Sequence, residues 1–144
     1  MPRTYSLPKS SILRGRKKFE AIFLHSTHYI HCGRLLAKFE VFNREKDIET
    51  LSFLAAFLTP KRIGKANKRN RTRRKMKEVF RMARPSFLEN LSICVPEIEV
   101  HCAFIAKTQD YRFEDMNRDF DGILQKLSHQ LVKNYGNKST DTPI

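Results

Sequence analysis

The stretch Lys61 to Arg84, KRIGKANKRNRTRRKMKEVFRMAR, decides the reading of this 144-residue chain. It holds twelve of the 28 basic residues and one of the 15 acidic ones, so it carries +11 against +2 for all the rest. Charges scattered over a surface serve solubility without the self-repulsion that crowding them into one segment costs, so this segment is suited to a polyanion. Its periodicity agrees. Thr72, Met76, Val79, Phe80 and Ala83 recur at helical spacing, a narrow stripe that can dock on a core and leave the charged circumference outside. Gly64 releases the chain from an extended run, and Pro85 disfavours helical geometry at Arg84, so the spacing predicts a helix from about Ala66 to Ala83. A solvated charged face would interleave acids at i+4, and this one has only Glu78.

Working outward, Arg14 to His25 places Phe19, Ile22 and Phe23 on one face behind Arg14, Arg16, Lys17 and Lys18, a short amphipathic helix. Arg34 to Phe42 alternates Leu35, Ala37, Phe39 and Val41 with Leu36, Lys38, Glu40 and Phe42, which is strand periodicity. Leu51 to Leu58 is a nearly continuous apolar run and reads as a strand buried on both sides, with the polar Asn43 to Glu49 before it as a hairpin connection. Val100 to Ala106 reads as another buried strand. Phe113 to Leu131 closes the set as a helix with Met116, Phe120, Ile123, Leu124, Leu127 and Leu131 inward. The order predicts an α+β fold, a single-domain two-layer sandwich over residues 1–134 in which helices cover a small sheet, followed by a loose tail over 135–144.

Composition bounds the function. With 40% hydrophobic residues and eleven Phe, the chain can fill one core. No apolar run is long enough to cross a bilayer, and MPRTYSLPKSS lacks the apolar region of a secretory signal, so a cytoplasmic protein without a membrane partner is expected. Cys32, Cys94 and Cys102 are odd in number and unrelated in spacing, which favours reduced thiols. A protein nuclease needs clustered carboxylates to hold a metal, or a His pair with a cation for acid–base cleavage, and neither pattern occurs. The metal-like spacing of His25, His28, His31 and Cys32 straddles the end of the first predicted helix, so it reads as solvated loop histidines. Glu114 and Asp115 suit the dipole of the helix they open. No catalytic residue and no metal site is expected.

Gly64-Lys65-Ala66, two residues, then Arg69-Asn70-Arg71-Thr72-Arg73-Arg74-Lys75-Met76-Lys77-Glu78-Val79-Phe80-Arg81 resembles the signature helix of the bacterial ribonuclease P protein subunit. The likeness extends to Leu13 through Phe23, to Leu51 through Gly64 and to His101 through Lys107. Pro60, the pair Asn67-Lys68, and Lys107 depart from the family's usual residues. The resemblance implies a mainly antiparallel sheet and a signature helix in a left-handed crossover to the last strand. It further implies a protein without its own active site: the family's catalytic RNA removes the 5′ leader of precursor tRNA, using magnesium held mainly by RNA. Ribonuclease P RNA and precursor tRNA would be the partners. By resemblance, Lys61, Arg62, Lys65, Lys68, Arg69, Asn70, Arg71, Arg73, Arg74 and Lys77 would meet the catalytic RNA. Arg suits phosphate because its planar fork donates two bonds, whereas the uncharged Asn70 implies a directed hydrogen bond, to RNA or as a local cap. A cleft for the single-stranded leader would use Phe19, Phe23 and Phe39 with Lys17 and Lys18, aromatics beside lysines forming a stacking platform. An RNA-packaging protein, such as a ribosomal one, and an autonomous ribonuclease are the competing readings. The first would leave leader removal unaffected, and the second would turn over without an RNA cofactor.

Overall fold

The computed structural model describes Ile12, Leu13, Ile22 and the segments 28–43, 51–95, 98–108 and 110–136. Alternation builds its sheet. In β2 (Leu35–Asn43) the side chains of Leu35, Ala37 and Phe39 are buried on one face, while Leu36, Lys38 and Glu40 turn to the other. Phe53, Ala55 and Phe57 of β3 (Ser52–Leu58) join that inner face, as do Val100, Cys102 and Phe104 of β4 (Ile98–Ala106). With β1 (His28–Cys32) they make a four-stranded sheet in the order β1-β2-β4-β3. β2 is antiparallel to β1 and β4, and β3 runs parallel to β4. A parallel pair needs a long crossover, and helix α1 (Ala66–Cys94) supplies it. Helix α2 (Phe113–Tyr135) then closes the inner face beside α1, giving a single-domain α+β fold.

The core is a cluster of phenylalanines. Phe80 is fully buried, with its ring 5.2 Å from Phe104, 5.7 Å from Phe57, 5.9 Å from Phe53 and 6.4 Å from Phe120, so one side chain of α1 touches β3, β4 and α2. All six residues expected to point inward from α2 are buried. On the opposite face of the sheet Leu13 and Ile22 pack with Ala56 and Ala103. Ile22 belongs to the predicted N-terminal helix over 14–25, whose remaining residues lie outside the described ones. The connection at 44–50 and the segment 137–144 also lie outside them.

Three expectations are corrected. α1 continues through Pro85 to Cys94. Proline in a helix interior costs about 3 kcal/mol or more by removing an N–H and crowding a carbonyl, but Phe87 and Leu91 extend the buried stripe, and such side chains contribute roughly 1.5–3 kcal/mol each. Tertiary burial outweighs the local preference. Second, β2 and β3 are not hairpin neighbours, because β4 lies between them. Apolar on both faces, β4 gains most from the central position. Third, His28 and His31 belong to an edge strand and not to a loop, and the pleat sends them to opposite faces. A ligand set at i and i+3 therefore cannot converge there, and His25 lies outside the described residues.

The β1–β2 turn is locked from below. Gly33 has φ +59°, and a Cβ on it would stand 2.2 Å from Asp119 Oδ1. Asp119 is buried, accepting the Arg34 N–H at 3.1 Å and the Tyr111 hydroxyl. Burial first, and then that hydrogen bond, push the Tyr111 phenol well above its ordinary range. Gly33→Ala should lower stability by about 1–3 kcal/mol in urea unfolding, since the left-handed backbone is strained for alanine and the carboxylate must move. An unchanged midpoint would show that the turn is not held as described.

Candidate nucleic-acid interface

β3 ends at Leu58, a 3-10 turn covers Lys61–Ile63, and Gly64 follows at φ 149°, a conformation open to glycine that redirects the chain into α1. The helix then begins without conventional capping. Its N-cap, Lys65, makes no side-chain cap bond, and no acid occupies the first turn. Instead Lys65, Lys68 and Arg69 crowd the positive end of the helix dipole, an arrangement that costs stability until an anion is supplied. Asn67 relieves one orphan donor, its Oδ1 accepting the Lys68 N–H at 2.8 Å. The departure at Asn67-Lys68 thus adds a charge and a local hydrogen bond together.

Burial divides the cationic side chains into two kinds. Lys61, Arg62, Lys65, Lys68, Asn70, Arg71, Arg74 and Lys77 are exposed. Arg69 and Arg73 are half-buried and engaged: Arg69 Nε donates to Gly64 O at 3.2 Å, while Arg73 donates to Thr59 Oγ1 at 3.0 Å and also to Asn70 Oδ1. Asn70 therefore has a visible local role, orienting a guanidinium one turn away. Thr72 turns inward and bonds Lys68 O, and Lys75 Nζ reaches Tyr111 O at 3.1 Å, tying α1 to the segment before α2. Glu78 pairs with Arg81 through the Nε bond at 3.0 Å and a second contact, and Arg81 holds its carboxyl below the usual carboxylate range. The one acid of the segment is thus engaged beside the basic face. Arg is also well matched to what such a face would hold, since its fork meets a phosphate bidentately.

The expected leader cleft divides differently. Lys17, Lys18, Phe19 and Phe23 lie outside the described residues. Phe39 is 1% exposed, on the inner face opposite Cys102 and stacked with His28 at 5.3 Å, so its place is in the core. Period-two geometry explains the correction: the aromatic that β2 turns to the other face is Phe42, which is partly exposed and lies 4.7 Å from the His101 ring. His101 Nε2 in turn meets Glu99 Oε2 at 2.5 Å. Sequence reasoning also missed Tyr29, His31 and Lys38, which the register sends to that same outer face. The polar half of the β2 alternation was the available signal. Among the described residues no group of three or more His, Cys, Asp or Glu could hold a metal ion, and no helix is long and apolar enough to cross a membrane. All three cysteines are free, and burial pushes the Cys102 thiol well up from its ordinary value.

A family described as Ribonuclease P matches residues 7–128, most of the chain and all of the basic helix through its contacts with α2. The chain belongs to the ribonuclease P family. Solved structures show the same fold. A Staphylococcus aureus RNase P protein superimposes with a TM-score of 0.59 at 16% identity, covering 85% of this chain and 92% of that one. A second S. aureus RNase P protein structure gives 0.56 at 14%, covering 83% and 96%. No curated protein matches in sequence. Family membership gives the chain the role of a protein subunit of ribonuclease P, hence a partner of ribonuclease P RNA and a participant in tRNA processing.

Proposed function

We propose that this subunit binds ribonuclease P RNA through the exposed face of α1 and its preceding turn, and assists cytoplasmic endonucleolytic removal of the 5′ leader from precursor tRNA. One observation supports it above the others: Lys65, Lys68, Arg71, Arg74 and Lys77 are exposed on one helix whose N-terminus is uncapped and whose only acid before Glu89 is engaged by Arg81. Such a face releases counterions when it meets phosphates, and its fixed charge lowers the repulsion between two polyanions that must come together. Arg73, oriented by Thr59 and Asn70, adds a guanidinium already in position.

Hydrolysis is assigned to the RNA. Magnesium takes oxygen ligands, and a face of ammonium and guanidinium groups offers it none, so the ion belongs with RNA phosphates. The chain's own contribution is binding and positioning, with the leader running over the outer face of the sheet, where Phe42, Tyr29 and Lys38 take the place first given to Phe39. Phe19, Phe23, Lys17 and Lys18 remain part of this proposal.

The test is cleavage of precursor tRNA by ribonuclease P RNA at low magnesium, with and without this chain. Protein alone should release no leader, and its addition to the RNA should raise the rate at least tenfold, leaving a 5′ phosphate on the mature tRNA. Leader release by RNA-free protein would contradict the assignment, as would an unchanged rate on adding it.

A further inference from the structure

Arg84 is the half-buried cation of α1 that the fold leaves unpaired. Its Nε is buried with no hydrogen-bond partner, and burial alone, with no carboxylate acting on it, lowers the pKa of the guanidinium from its ordinary value. A charge in that state costs stability unless an anion joins it. The sequence places the end of the helix before this residue, but α1 runs on through Pro85, so Arg84 takes a helical position in line with Arg73 and Lys77. At i, i+4 and i+11 the three fall within about 40° of one another around the axis. Their flank faces the edge strand β3. Arg73 bonds Thr59 just past that strand, the Phe80 ring lies 5.7 Å from Phe57, and the Phe87 ring lies 5.2 Å from Phe53, so α1 runs antiparallel to β3 with Arg84 between the last two contacts. No acid of either element interrupts it: Glu78 and Glu89, the two acids of α1, project from the far side of the helix, and SFLAAFL of β3 has none.

We infer that Arg84 contacts an RNA phosphate, and that with Arg73 and Lys77 it forms a second backbone track along the β3 flank of α1, apart from the exposed face of Lys68 and Arg71. The inference rests on the RNA-binding reading above and adds a residue and a surface to it. From Arg73 to Arg84 the helix rises roughly 16 Å, so one strand can lay several consecutive phosphates along it. A planar guanidinium gives a phosphate two donors, and the orphan Nε is one of the atoms such a fork uses. Packing alone accounts for less. An arginine stem can cover apolar neighbours one turn away, here Phe80 and Leu88, while its head stays in water, but that arrangement keeps Nε hydrated, and here it is buried.

The test measures the affinity for ribonuclease P RNA across a salt series for the full chain carrying Arg84→Met, with urea unfolding beside it. Methionine keeps a long apolar stem and removes the charge, so the variant should be at least as stable as wild type, yet bind roughly fivefold more weakly at 0.1 M salt, with a slope lower by about 0.7 to 0.9. Stability and affinity then move apart. Arg84→Lys keeps the charge without the fork and should keep the slope. Repeating the titration with precursor tRNA alone identifies which RNA supplies the phosphate. If Arg84→Met leaves the slope unchanged for both RNAs while Arg71→Gln with Arg74→Gln reduces it, the flank proposal is overturned and the α1 reading stands. A slope lowered as much by Arg84→Lys as by Arg84→Met overturns it too, because the loss would follow side-chain shape and not charge. If neither Arg84→Met nor the double variant changes the slope, both readings fall.

Discussion

Phe80→Ala is expected to lower the stability of the free protein by about 3–5 kcal/mol, the range for truncating a buried aromatic to alanine. Domains of this size are stable by only about 5–15 kcal/mol, so the variant should unfold at much lower urea and populate unfolded chain on mild warming. The position is unusually demanding because its ring meets Phe53, Phe57, Phe104 and Phe120, drawn from three other elements, and no one of these can move into the space without leaving another. Phe80→Leu keeps most of the volume and should cost considerably less. The comparison by urea unfolding separates a packed cluster from a loosely filled one: equal, small losses for both substitutions would mean that the cluster does not hold α1 to the sheet. A folded Phe80→Leu should also bind RNA like wild type, because the opposite side of the same helix carries the charge.

The two sides of α1 also explain what was legible in the sequence. Thr72, Met76, Val79 and Phe80 are buried as their spacing requires, and every apolar position marked inward on α2 is buried. Long periodic segments announce themselves because many residues repeat one statement. The shorter elements did not. In β1, HYIHC, Ile30 is the one buried residue, so no alternating pattern marks the strand. Strand order was equally hidden, since the neighbour of β2 is set by which strand is apolar on both faces, and that strand, β4, comes after α1 in the chain. Pro85 carried a true local preference that the burial of Phe87 and Leu91, further along the same helix, overrides. In the site, charge was readable and geometry was not. The sequence marks Arg69, Arg71, Arg73 and Arg74 alike, yet only the fold distinguishes Arg73, tied to Thr59 and Asn70, from Arg71 and Arg74, which are exposed. For the same reason the choice of Phe39 failed: a one-residue difference in register exchanges core for surface.

That distinction sharpens the second large effect. Replacing Arg73 would disturb its bonds to Thr59 and Asn70 as well as any phosphate contact, and so confuse two causes. Arg71 and Arg74 make neither kind of structural bond among the described residues and can be neutralised together with the fold intact. Each phosphate contact contributes about 0.9 to the slope of log affinity against log salt on duplex RNA-like backbones, and somewhat less on single strands. Arg71→Gln with Arg74→Gln should therefore weaken binding on the order of tenfold or more at 0.1 M salt, with the difference fading as salt rises and screening removes it for the wild type as well.

The most direct measurement is the affinity of the chain for ribonuclease P RNA across a salt series, for the wild type and for this double variant, with unfolding curves recorded beside it. The account predicts identical unfolding and a slope reduced by roughly two units in the variant. An unchanged slope in a variant of unchanged stability would contradict it and move the RNA contact off α1.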